Sequence, residues 1–177
     1  MTATEANSTF VGIQTDSADS TTFNAFDTLT ATGANSALKV TFTDGTEGAT
    51  LNAADVSGVQ NIWIRNISGS EDALAVDGDN FAGATLFAAD RSTSTMDFQN
   101  IGSADLTVIG NASINNAAVT FSVGDDVVTD EFVLNLQSGV RGGEDVGLDA
   151  GDTNADWTSV VINSTGARNA VGALALG

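Results

Sequence analysis

A chain of 177 residues is long enough for one domain with a core, or for one extended solenoid, and leaves little room for a second domain. It contains no Cys, His, Pro or Tyr, which excludes disulfides, thiolate and imidazole metal sites, and catalysis by Cys or His. Five Lys and Arg against 23 Asp and Glu give a formal charge of −18, so the long-range field repels nucleic acid and anionic lipid and attracts cations, calcium foremost. Hydrophobic residues at 42 % against 16 % charged are enough to drive folding.

In chain order, residues 2–22 are polar, with Phe10, Val11 and Ile13 isolated among Thr, Ser and Asp, and residues 1–27 are expected to form a cap or an exchanged strand ahead of a body over 28–177. The start MTATEANSTF lacks the basic and apolar regions of a cleavable signal, and no stretch has the length of a transmembrane helix. Export is therefore expected to use another route or a signal outside these residues. Nine short runs then alternate apolar with small or polar residues: LKVTF (38–42), NIWIRNI (61–67), ALAV (73–76), ATLFA (84–88), MDFQNI (96–101), DLTVIG (105–110), AVTFSV (118–123), FVLNL (132–136) and SVVIN (159–163). Each has strand length and strand composition, and DGTEG, SGSED, DGDN and STG supply turns between them. One or two helical turns are allowed at NAADVSG (52–58) and NFAGATLFAAD (80–90), where Ala is interrupted by Gly.

Weak internal repeats accompany this pattern. Residues 61–76 resemble 95–108, and 29–42 resemble 106–121 with a two-residue insertion, so strand, turn and strand recur as a unit. Units that cannot bury their own apolar residues gain a core by stacking, and the expected fold is all-β: a right-handed parallel β-helix, or β-solenoid. Asn66 and Asn100, at matched turn positions, are expected to form a ladder between coils. An antiparallel β-sandwich or jelly roll is the alternative, in which similar strands recur by chance.

The strings TLNAADVSGVQNIWI (50–64), DNFAGATLF (79–87), FQNIGSADLTVIGNA (98–112) and VVINSTGARNAV (160–171) resemble the repeats of Gram-negative surface-layer and related type-I-secreted surface proteins, over roughly residues 28 to 171. The resemblance implies an extracellular, non-enzymatic protein that assembles with copies of itself into a layer or filament, with calcium bridging subunits. The glycine-rich calcium repeats of the GGxGxD type are absent, so any calcium site is built differently. A monomeric adhesion module of a larger secreted protein, holding a cell-surface glycan, is the second expectation.

Three acidic clusters are candidates for calcium, which takes six to eight oxygens. The densest, in the loop 141–157, carries Glu144, Asp145, Asp149, Asp152, Asn154 and Asp156; the alternation at 152, 154 and 156 places three oxygen side chains within one turn, without the Gly and distant Glu of an EF-hand. The second is Glu71, Asp72, Asp77, Asp79 and Asn80, with Asp77 and Asp79 flanking Gly78. The third is Asp125, Asp126, Asp130 and Glu131. Solvated turns carry the same residues. Paired carboxylates can cleave glycosides, yet few aromatics and singly scattered cations argue against a sugar groove. Trp63 and Arg65 alternate with Ile62 and Ile64 and so face away from them; for Trp63 a packing role is expected. Ser36 and Lys39 match S-x-x-K by spacing only. With no Pro and no clear terminal cap, end-to-end association is expected.

Overall fold

The computed structural model describes residues 1–52, 54–111, 113, 115–124, 131–141, 145–149 and 159–176. The chain is a parallel β-solenoid of about six turns. Sixteen strands among the described residues form three sheets, and every pairing between them is parallel, which removes the antiparallel sandwich.

The longest sheet runs in the order β2 (Thr9–Gln14), β4 (Ala37–Phe42), β6 (Asn61–Asn66), β9 (Leu86–Asp90), β11 (Asp105–Ile109), β13 (Glu131–Gln137) and β15 (Ser159–Thr165). A second joins β7 (Leu74–Asp77), β10 (Met96–Gln99), β12 (Val119–Ser122), β14 (Val146–Asp149) and β16 (Leu174–Leu176). The third joins β1 (Thr2–Ala3), β3 (Thr28–Ala31), β5 (Asp55–Ser57) and β8 (Phe81–Ala82). All nine runs expected as strands overlap one.

Register explains the core. Because side chains alternate along a strand, in-register parallel stacking turns each inward position into a continuous column. One such column is Phe10, Leu38, Ile62, Phe87, Leu106, Leu134 and Ile162. Another, in the second sheet, is Val76, Phe98, Phe121, Leu148 and Leu176. The Phe98 and Phe121 rings stack at 5.0 Å, and Phe87 meets Phe98 edge-on at 5.9 Å. Coil length is uneven: the register steps from Thr9 to Ala37, Asn61, Leu86 and Asp105, so successive coils take 28, 24, 25 and 19 residues. The strands hold their alignment while the corners absorb the difference. Some corners are tight enough to demand glycine. At Gly58, φ is +70° and a β-carbon would collide with the Ala31 carbonyl of the coil below.

Several expectations are corrected. The sequence repeats do not follow the coil: residues 61–76 pass from the long sheet to the second sheet, whereas 95–108 pass from the second sheet to the long one. Asn66, which ends β6, and Asn100, which follows β10, therefore belong to corners of different sheets and form no ladder. Asn66 instead donates to the Thr95 carbonyl at 2.9 Å, and Asn100 donates to Asp77 at 3.0 Å. The asparagine ladder that does form links Asn163 to Asn135 at 3.1 Å. Where helical turns were allowed, 55–57 is β5 and 81–82 and 86–90 are β8 and β9; the described helix is a single 3-10 turn, Gly78–Asn80. Its side chains are too few and too often interrupted by Gly to sustain more.

The two ends differ. Residues 1–27 carry β1 and β2, which pair in register with β3 and β4 of the same chain. The connection after β2 then folds back across the end. Thr22 and Phe23 donate their N–H groups to the Ile13 carbonyl at 2.7 and 3.0 Å, the Ile13 N–H donates to Thr22 Oγ1 at 3.0 Å, and the Phe23 side chain packs on Gly12, where a β-carbon would lie 2.8 Å from Phe23 Cβ. Phe10 and Phe23 are buried by this closure. At the other end β15 and β16 each pair on one side only. There the core columns stop in the open: Leu134 is 1 % exposed but Ile162, next in its column, is 49 % exposed, and Leu148 at 1 % is followed by Leu176 at 58 %.

Candidate functional site

The acidic clusters were the leading sites in the sequence. Asp77 ends β7 and caps the 3-10 turn: its carboxylate accepts the Asp79 N–H at 3.2 Å and the Asn100 side-chain amide at 3.0 Å, which ties one coil to the next. Asp79 and the neighbouring Glu71 and Asp72 are exposed. Asp145 precedes β14 and Asp149 ends it, both exposed, so the described part of the 141–157 loop is partly a core strand, through Val146 and Leu148. Glu144, Asp152, Asn154, Asp156, Asp125 and Asp126 lie outside the described residues, as does Asp130. Among the described residues no three acidic side chains gather closely enough to share a metal ion.

Asp77 also lines a cleft of about 350 Å³, together with Thr50, Asn52, Asn80, Gln99, Leu51 and Ala75. It sits where the second sheet begins, at the bridge of Thr50 to Ala75. Gln14 crosses behind it, donating to the Thr50 carbonyl at 3.0 Å and accepting the Asn52 N–H at 2.8 Å. The lining is mostly neutral amide, hydroxyl and apolar surface, chemistry suited to a polar uncharged ligand.

Trp63 faces outward from β6, as the alternation implies, and packs flat along the sheet. Lys39, its in-register neighbour on β4, holds its Nζ 4.5 Å from the indole centroid. The indole N–H is buried without a hydrogen-bond partner, as is Thr107 Oγ1 two strands further along the same outward column. Ser36 and Lys39 do not act together: the buried Ser36 hydroxyl lies 2.6 Å from Gln60 Oε1, while Lys39 is exposed over Trp63. Arg91 is held by Asp90 through contacts of 2.7 and 2.9 Å; that hydrogen bonding and the adjacent charge raise its already high pKa.

The sequence led to the expectation of open ends without telling one end from the other; the structure leaves the core columns uncovered at the C-terminal coil. Of the large hydrophobic side chains left exposed, Met1, Val11, Ile13 and Phe26 lie in residues 1–27, and Val161, Ile162 and Leu176 belong to the last coil, where Val171 and Leu174 are only partly covered. The signal was present: all 23 acidic residues lie at or before Asp156, and the last coil carries Arg168 as its one charged side chain. No protein-family profile, curated protein or solved structure matches the chain.

Proposed function

We propose that this protein is architectural and not an enzyme: it associates with copies of itself at a cell surface, as part of a layer or filament, and it uses the open coil at its C-terminal end to do so. One observation carries this reading. The core columns, buried through the body of the solenoid, end exposed at Ile162 and Leu176 in the last described coil, and apolar surface continuous with a core is surface suited to a contact. The resemblance of the strand and turn units to those of surface-layer and type-I-secreted proteins supports the extracellular setting. Calcium is the cation we assign to the remaining assembly contacts, through the acidic residues of 141–157 and 125–131, where it would relieve self-repulsion between copies.

The test is mass by light scattering, with electron microscopy in parallel, across a calcium titration with a chelator control. Oligomers without calcium and larger sheets or filaments with it are expected. A strict monomer at high concentration in both conditions refutes self-assembly. The cleft beside Asp77 favours a second reading, a monomeric adhesion module holding a neutral glycan, and that same monomer would bring it forward.

A further inference from the structure

We infer that the outer face of β2, β4 and β6 is a lateral contact of the assembly, and that its occupant is the outer face of the second sheet of another copy. This rests on the self-association proposed above and adds a contact along the side of the solenoid. The three strands carry Lys39 and Arg65 and no acidic residue, in a chain with 23 acids and five cations. Their register sets six outward side chains in two columns: Val11, Lys39 and Trp63, with Ile13, Thr41 and Arg65 beside them. Val11, Ile13, Lys39 and Arg65 are all exposed. Neither cation is neutralised within the chain. Lys39 lies over the Trp63 ring, and Arg65 makes no ion pair among the described residues, whereas Arg91 is held by Asp90. Exposed aliphatic side chains around a Trp and an uncompensated Arg are the composition of a protein contact. The face is flat, and a flat sheet is best met by another sheet packed about 10 Å away.

The occupant has to be flat and acidic, and the chain itself supplies such a face. Strands β7, β10, β12 and β14 hold Asp77, Asp97 and Asp149 and no Lys or Arg. The small outward residues Ala75, Thr120 and Gly147 let a second sheet come close. The charges also match in layout. Arg65 lies one strand after Lys39 and two residues further along, while Asp77 lies one strand before Asp97 and two residues further along. Each diagonal spans about 8 Å between Cα atoms, from the spacing of strands and of residues within them. The two diagonals have opposite hand when seen from outside, which is what surfaces meeting face to face require. With the solenoid axes parallel, Lys39 meets Asp77 and Arg65 meets Asp97; with the axes antiparallel, the pairs exchange. Ion pairs closed inside a contact are screened less than the long-range repulsion between copies, so they withstand the salt that relieves it. Because the two faces differ, every copy offers one of each, and the contact repeats into a row or ring.

The chain has no cysteine, so a single thiol can mark each face. Val11→Cys marks the basic face and Gln99→Cys the acidic one, both at exposed positions. With a short bismaleimide, a mixture of the two variants is expected to give a covalent dimer that neither gives alone. Adding Arg65→Glu to the first is expected to lower the yield about tenfold or more with an unchanged circular dichroism spectrum. Adding Asp97→Arg to the second then restores the yield if the axes are parallel; if they are antiparallel, Lys39→Glu is the variant that Asp97→Arg rescues. Rescue in either pairing supports the contact and fixes its direction. Oligomers in light scattering with no crosslink in the mixture, or a yield that neither reversal lowers, overturn this surface and leave self-association standing. Binding of a soluble polyuronate that Arg65→Glu abolishes, with no crosslink between copies, gives the basic face to an anionic polysaccharide and overturns the second copy as its occupant. A monomer at every concentration that crosslinks in no mixture overturns both.

Discussion

Asn66 shows how much one corner residue holds. It is fully buried at the end of β6, its amide donates to the Thr95 carbonyl at 2.9 Å, its Oδ1 accepts the Ser68 N–H at 3.1 Å, and its own N–H reaches Ser92 Oγ at 2.9 Å. Asn66→Ala strands a carbonyl and an amide in the interior, a loss of about 2–4 kcal/mol, visible as a lower urea midpoint at unchanged m-value. Asn66→Asp keeps the acceptor for Ser68 but forfeits the donor and buries a charge, and is expected to be no milder. Phe98, between Phe87 and Phe121, is the apolar counterpart: Phe98→Ala should cost about 3–5 kcal/mol in the same measurement. The inward direction of Phe98, and the outward direction of Trp63, were legible from alternation alone. The partner of Asn66 was not. A repeat in sequence says which corners look alike, while the partner depends on which of three sheets each corner ends.

Among the elements, the strands with full alternation and aliphatic or aromatic cores announced themselves, from LKVTF to SVVIN. Those missed have physical reasons. β1, β5 and β8 span two or three residues, too few for a period of two to register. β2 puts Gly12 at an inward position, where Phe23 supplies the apolar bulk from the following loop, so its own sequence looks half-empty. β14 hides within the acidic loop, its Val146 and Leu148 outnumbered by carboxylates. Acidic clusters were the least legible of all, because a run of Asp reports solvation and turn-making more than ligand geometry. Since each coil touches chiefly its neighbours, damage to one element should stay local. Phe23→Ala removes the seal at the N-terminal end and is expected to speed amide exchange in β2 by about tenfold or more, while β11 and β13 keep their protection.

For the whole molecule, a net charge of −18 opposes any contact between copies, so salt should strengthen the proposed association. Raising NaCl from about 0.05 M to about 0.5 M shortens the Debye length roughly threefold, and the associated fraction measured by sedimentation should rise. At matched ionic strength, any extra effect of calcium measures the carboxylates that meet between copies. The solenoid was legible at this scale from repeated strand and turn units; the difference between its ends was not, since closure at one end depends on 15–27 folding back over β2. That difference also gives the fold a direction in time. The coil of β2 carries its own lid, so it can settle before the coils after it exist, and every later coil is laid onto an edge already formed. During synthesis the exposed face is then always that of the newest coil, open until the next one covers it.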